Sequence, residues 1–183
     1  MSGEARFPEL EVARVLREWT RLDARLLKDV EGYRLATVSL RGARAGGAAK
    51  LPLWLVRALL DRGLAAVDVE GLLGWVHKVH WRESVQKAAE YSISKAPPEF
   101  YAKLRLVLYI LRDRPELSRQ VPEEARKAVL EKLREVVNRR RAIIPILSEV
   151  EDSELVDRLT FEERLLLNIY RRVVGGWRGF TGI

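Results

Sequence analysis

The chain has 183 residues, 48% of them hydrophobic and 32% charged, with a formal net charge of +7 and no cysteine. That size suits one ample domain or two small ones, and the composition excludes a disordered chain, a disulfide framework, a thiolate metal site and a cysteine nucleophile. The longest uninterrupted apolar run, residues 106–111, falls far short of a bilayer span.

Leu10, Val12, Val15, Leu16 and Trp19 stand close to helical spacing and predict a short first helix. From Arg21 the pattern changes to alternation, with Leu22, Ala24 and Leu26 against Arg21, Asp23 and Arg25. A second alternation follows through Ala36, Val38 and Leu40, so two antiparallel strands are expected. Residues 41–50, rich in Gly, Ala and Arg, read as a flexible basic loop. Pro52 then suits the start of a helix and Gly63 its left-handed end, with a third short strand expected over 64–69.

Residues 71–94 predict a long helix carrying Leu72, Trp75, Val76, Val79, Val85 and Ala89 on one side, stopped before Pro97-Pro98. The next helix repeats Phe100, Tyr101, Leu104, Val107, Leu108 and Leu111. Leu106, Tyr109 and Ile110 invade its other face, so it must be covered on several sides. Pro122-Glu123-Glu124 opens a helix carrying Val129, Leu133, Val136 and Val137, which Pro145 should kink or finish. Thr160 and Glu163 form a capping box for the last helix, which runs through Leu166, Ile169, Tyr170, Val173 and Trp177 and loosens at Gly175-Gly176. The fold expected is mainly α (α+β). A small N-terminal α/β domain with a short antiparallel sheet, residues 1–69, precedes an elongated helical bundle domain, residues 70–183.

Catalytic chemistry finds little support. His77, His80 and Glu83 stand on neighbouring turns, but their spacing matches no zinc signature and no further His or Cys completes a shell. Glu123-Glu124 and Glu162-Glu163 are helix-start carboxylates. Gly46-Gly47 lacks the lysine and hydroxyl of a phosphate loop. No enzyme activity, metal or cofactor is expected. Positive charge is spread thinly, with 12 basic and 9 acidic residues over 1–69 and 21 and 17 over 70–183. Arg139, Arg140 and Arg141 are candidate DNA contacts, although cations late in a helix also suit its dipole. Trp54, Trp75, Trp81 and Trp177 read as core or interface anchors. The first ten residues carry acids and no apolar core, unlike a secretory signal, so a cytoplasmic location is expected.

Three blocks together resemble a GINS subunit, part of the replication-fork assembly that joins the MCM helicase and a RecJ-like partner. Leu51-Pro-Leu-Trp-Leu55 followed by Arg62-Gly-Leu64 resembles the end of the small domain. Residues 97–104, Pro-Pro-Glu-Phe-Tyr-Ala-Lys-Leu, resemble the opening of a core helix. Arg139-Arg-Arg141 with Ile143, then Leu159-Thr-Phe-Glu-Glu163, resemble the arginine-rich helix end and the helix start after it. The resemblance implies an archaeal subunit with its small domain first, assembled as a tetramer with a partner subunit of reversed domain order. It implies a scaffold that stimulates the MCM helicase at nucleoid-associated forks, with DNA as a weak additional ligand. Leu104, Leu108, Leu111, Leu133, Val137, Ile169, Tyr170 and Val173 are the residues expected to build the helical core and subunit interface. Pro52, Trp54 and Leu55 are expected to fix the small domain. The alternative is a basic helical nucleic-acid-binding regulator.

Overall fold

A computed structural model describes residues 7–30, 34–35, 38–40, 44–86, 92–150 and 152–182. Helix α1, Pro8–Trp19, opens on a proline at its first position, where the missing amide has no partner to lose. Strand β1, Arg21–Leu26, buries Leu22, Ala24 and Leu26 and exposes Arg21, Asp23 and Arg25 as its alternation predicts.

The partner of β1 differs from the expected one. β1 pairs antiparallel with β4, Ala48–Pro52, and with β5, Ala65–Ala66, giving the order β4-β1-β5. The second alternation instead forms a separate two-stranded ladder of β2, Arg34–Leu35, and β3, Val38–Ser39. Ala36 and part of the expected basic loop, residues 41–43, lie outside the described residues. The rest of that loop is a turn at Gly46, φ 81°, running directly into β4. Helix α2, Leu53–Asp61, has Pro52 as its N-cap and ends before Gly63, whose φ of 62° is the left-handed conformation that favours glycine. The third strand is shorter than the 64–69 expected.

Helix α3 runs Val69–Gln86. Of the expected 71–94, Ser92, Ile93 and Ser94 belong to no helix or strand, and Ala89 lies outside the described residues. Ile93 there is fully buried with Ile143, Ile144, Leu147, Leu159 and Leu167, so tertiary burial decides against helix. Helix α4, Phe100–Leu108, widens into a π-helical turn at Tyr109–Asp113, closed by the Arg114 amide on the Tyr109 carbonyl at 2.7 Å. The extra residue lets Tyr109, Ile110 and Leu111 all turn inward, which accounts for apolar residues on both faces of the sequence pattern.

Helix α5, Glu123–Glu149, passes through Pro145 instead of ending there. Proline inside a helix costs about 3 kcal/mol. Burying Ile143, Ile144 and Leu147 around it, each worth about 1.5–3 kcal/mol, outweighs that cost. A short α6, Ser153–Asp157, leads to α7, Phe161–Thr181, which stays helical across Gly175-Gly176 and ends at Gly182, φ 73°. The predicted loosening is absent.

One core cluster joins the sheet and α2 to the helices: Leu26, Leu53, Val56 and Leu59 pack with Val76, Leu106, Ile110 and Leu133. Polar contacts reinforce this junction. Tyr109 donates to Asp61, which also pairs with Arg114, and the Arg57 guanidinium lies 5.3 Å from the Tyr109 ring centre. Among the described residues no helix is long and apolar enough to cross a membrane.

Candidate functional site

The apolar stripe of α5 reads Val129, Leu133, Val136, Arg140, Ile143 and Leu147, so Arg140 occupies an inward position in the middle of a buried face. On α3 the stripe Val76, Val79 continues into Glu83 in the same way. At the start of α7 the capping box needs Glu163 to fold back over Thr160. These three helices therefore bring one cation and two carboxylates to a single buried point, with Arg140 at 0% and Glu83 and Glu163 at 2% exposure.

Every N–H of the Arg140 guanidinium is used. Nε donates to Glu163 Oε1 at 2.6 Å and Nη2 to Glu163 Oε2 at 2.9 Å, a bidentate pair; Nη2 also reaches the Arg158 carbonyl at 3.3 Å. Nη1 donates to Glu83 Oε1 at 2.6 Å and to the Ser94 carbonyl at 2.9 Å. The Phe100 ring centre lies 5.5 Å from the guanidinium, and Tyr101 donates to Glu163 Oε1 at 3.0 Å. Ser94 Oγ completes Glu83 Oε1 at 2.6 Å, while Arg139 Nε stands 3.5 Å from Glu83 Oε2. Burial works against the charge of Arg140, but the hydrogen bonds and charges of Glu163 and Glu83 hold its pKa above the ordinary arginine value. Every donor of Arg140 is satisfied, whereas Glu83 Oε2 and Arg139 Nε, both buried, make no hydrogen bond and approach each other only to 3.5 Å.

The capping box is complete: Thr160 Oγ1 accepts the Glu163 amide at 3.3 Å and Glu163 Oε2 accepts the Thr160 amide at 2.8 Å. Thr160→Ala is expected to cost about 1–2 kcal/mol in urea unfolding, because it frees an amide at the helix start and slackens the carboxylate that holds Arg140.

Burial, then the negative charge of Glu163 and the hydrogen bond to it, push the Tyr101 phenol well above the tyrosine range. Burial and Asp61 push Tyr109 up to about 12 from 10.0. The unfolded chain releases both protons near pH 10 while the folded chain keeps them, so the stability they contribute is complete below that pH and is lost as pH rises. Stability should fall by about 1.4 kcal/mol per pH unit for each phenol between about pH 10 and 12. Urea midpoints across that range should show it, and Tyr101→Phe should remove about half of the slope.

The structure separates the histidine and carboxylate trio. His80 Nε2 faces Glu135 Oε2 across the α3–α5 interface at 2.7 Å, and His77 Nδ1 accepts from Lys132 Nζ at 2.8 Å. Both imidazoles staple α3 to α5, while Glu83 is bound to Arg140. Among the described residues no group of three or more such side chains could hold a metal ion.

No protein-family model matches the chain, and no curated protein matches it either.

Of the arginines expected as DNA contacts, Arg140 is corrected to a buried structural cation with no donor left for a phosphate. Arg139 is half-turned inward, with Nη2 on the Ser92 carbonyl at 3.0 Å, and only Arg141 is exposed. Leu111, Leu133 and Ile169 are buried, whereas Leu104, Leu108, Val137 and Tyr170 are partly buried. Val173 is instead exposed. In the small domain Pro52 and Leu55 are buried and Trp54 stands edge-on to Trp19, ring centres 5.8 Å apart. The exposed apolar side chains fall on helix faces. Val12, Val15, Leu16 and Trp19 line α1, and Val173, Trp177 and Phe180 line the end of α7.

Proposed function

We propose that the chain is a non-enzymatic structural subunit of a GINS-like DNA replication complex, holding and stimulating the MCM helicase through protein–protein interfaces. The observation that carries this reading is the convergence of the resembling blocks on one point. Residues 97–104 supply Phe100 and Tyr101, residues 139–141 supply Arg140, and residues 159–163 supply Thr160 and Glu163, all within one buried hydrogen-bonded cluster. Two of the three resembling blocks, residues 97–104 and 139–163, thus meet in one hub although they are far apart in the chain. The uncovered faces of α1 and α7 further suit a protein whose working surface is an interface.

On this reading the partners are a second subunit of reversed domain order, the MCM helicase and a RecJ-like protein, at nucleoid-associated forks. Co-expression with a reversed-order subunit, followed by size exclusion with light scattering, tests it. A particle of four subunits, absent without the partner, is the expected result. Indifference to the partner, combined with DNA affinity that falls steeply with salt, would replace the scaffold reading by the nucleic-acid-binding one.

A further inference from the structure

The seam between α3 and α5 opens beside the hub into a cleft of about 360 Å³, lined by His80, Glu83 and Ser84 from α3 and by Val136, Asn138 and Arg139 from α5. Helical spacing gathers them. His80, Glu83 and Ser84 stand three and four residues apart, as do Glu135, Asn138 and Arg139, so each set shares one helix face.

Two buried polar atoms at this cleft have no hydrogen-bond partner among the described residues. Glu83 is 2% exposed; its Oε1 accepts from Arg140 and Ser94, but its Oε2 accepts from neither. Arg139 is anchored through Nη2 on the Ser92 carbonyl, which leaves its Nε with nothing to donate to. The two atoms lie 3.5 Å apart and do not bond to each other. A buried donor and a buried acceptor left unmade are costly, so this pair calls for an occupant.

Charge and geometry define what fits. Two carboxylates, Glu83 and Glu163, face two guanidiniums, Arg139 and Arg140, so the set is already neutral and an ionic ligand would lack a counter-charge. The occupant must donate to one atom and accept from the other, side by side. A carboxamide, or the lactam edge of a heterocycle, presents N–H beside C=O and does both. One water molecule also meets both atoms, but it takes up only about 30 Å³. The cleft has the size of small-molecule sites, which begin at roughly 300 Å³, and Val136 gives it an apolar wall. We infer that the cleft binds a neutral small molecule carrying a carboxamide or lactam edge, whose N–H donates to Glu83 Oε2 and whose C=O accepts from Arg139 Nε.

This inference goes beyond the scaffold reading and is tested on the chain alone. With two His, two Asn and two Gln in the sequence, the side-chain signals of an isotope-labelled sample are few enough to assign by nuclear magnetic resonance. His80 and Asn138 line the cleft, whereas His77 and Asn168 do not and serve as internal controls. Nicotinamide, a carboxamide, and uridine, a lactam, are the probes; benzoate, an anion without the N–H, is the control. Saturable shifts of Asn138 and His80 alone, with a Kd of about a millimolar or tighter for at least one probe, are expected. Which probe saturates tells the carboxamide from the lactam. Ser84→Leu, at an exposed position on the cleft, and Arg139→Met, which removes the donor, should each weaken binding at least about tenfold with circular dichroism unchanged. If Arg139→Met loses its fold, Ser84→Leu decides. No saturation by either probe, equal binding of benzoate, shifts shared by His77 and Asn168, or undiminished binding to Ser84→Leu overturns the inference. Failure of the chain to join a reversed-order subunit bears only on the scaffold reading.

Discussion

Arg140→Met is expected to lower the unfolding free energy by about 3–5 kcal/mol, a large share of the 5–15 kcal/mol typical of a domain this size. The loss comes from the partners, because two carboxylates at 2% exposure would remain buried without their shared cation. Arg139 is the nearest remaining positive charge and stands 3.5 Å from Glu83 Oε2, so it compensates only on that side. Glu163 keeps the Thr160 amide and the Tyr101 hydroxyl but loses both bonds from the guanidinium. Arg140→Lys should recover only part of the loss, since one ammonium with three protons cannot serve five acceptor contacts spread over α3, α7 and two non-helical segments. The decisive comparison is the triple variant Arg140→Met, Glu83→Leu, Glu163→Leu. If the cost arises from orphaned charges, the triple variant should be more stable than Arg140→Met alone by urea unfolding. A triple variant less stable than the single one would show that the pairs themselves hold the bundle.

Local signals in the sequence were sufficient wherever a few neighbouring residues decide the backbone. Thr160 with Glu163, Pro52 before an apolar run, and Gly63 after it each fix a helix end by chemistry within four residues, and the structure has all three. The alternation of β1 was equally legible, since burial of Leu22, Ala24 and Leu26 needs only one covered face. Its partner was not. β4 is made of Ala48, Ala49, Lys50, Leu51 and Pro52, small or mixed residues with no alternation to announce a strand, and it forms because β1 offers a ladder from a distance in sequence.

The ends of α3 and α5 show the same competition. Ser92–Ala96 has no propensity that forbids helix, yet Ile93 is drawn into a cluster on α5 and α7, and the Ser92 and Ser94 carbonyls are taken by Arg139 and Arg140. The local cost of Pro145 alone predicts a kink or a helix end, which the burial of its neighbours overrides. The hub itself left a trace that composition and charge counting passed over. Arg140 and Glu83 each interrupt an apolar stripe at an inward position, and charged residues at such positions are buried only when paired. Reading Arg139-Arg140-Arg141 as a run concealed that one member faces inward while its neighbours do not, which the 100° step between successive helical residues requires.

Phe100→Ala is expected to cost about 3–5 kcal/mol, because the ring is 1% exposed and stands against Trp75, Tyr101 and Arg140 at 5.7, 4.9 and 5.5 Å. Cavity formation accounts for most of that figure, so Ala alone does not separate packing from the attraction between the ring face and the guanidinium. Phe100→Leu does. Leucine fills most of the space but presents no ring face, and in this dry setting the lost cation–π contact should cost about 1–2 kcal/mol beyond the small change in packing. The same substitution in an Arg140→Met background has no cation to lose, so its cost should shrink by that amount. Urea unfolding of the four proteins in this cycle gives the coupling directly. A coupling near zero would reduce Phe100 to an apolar filler. A coupling of the expected size would make it the link through which residues 97–104 and the ion pair between α5 and α7 are stabilised as one unit.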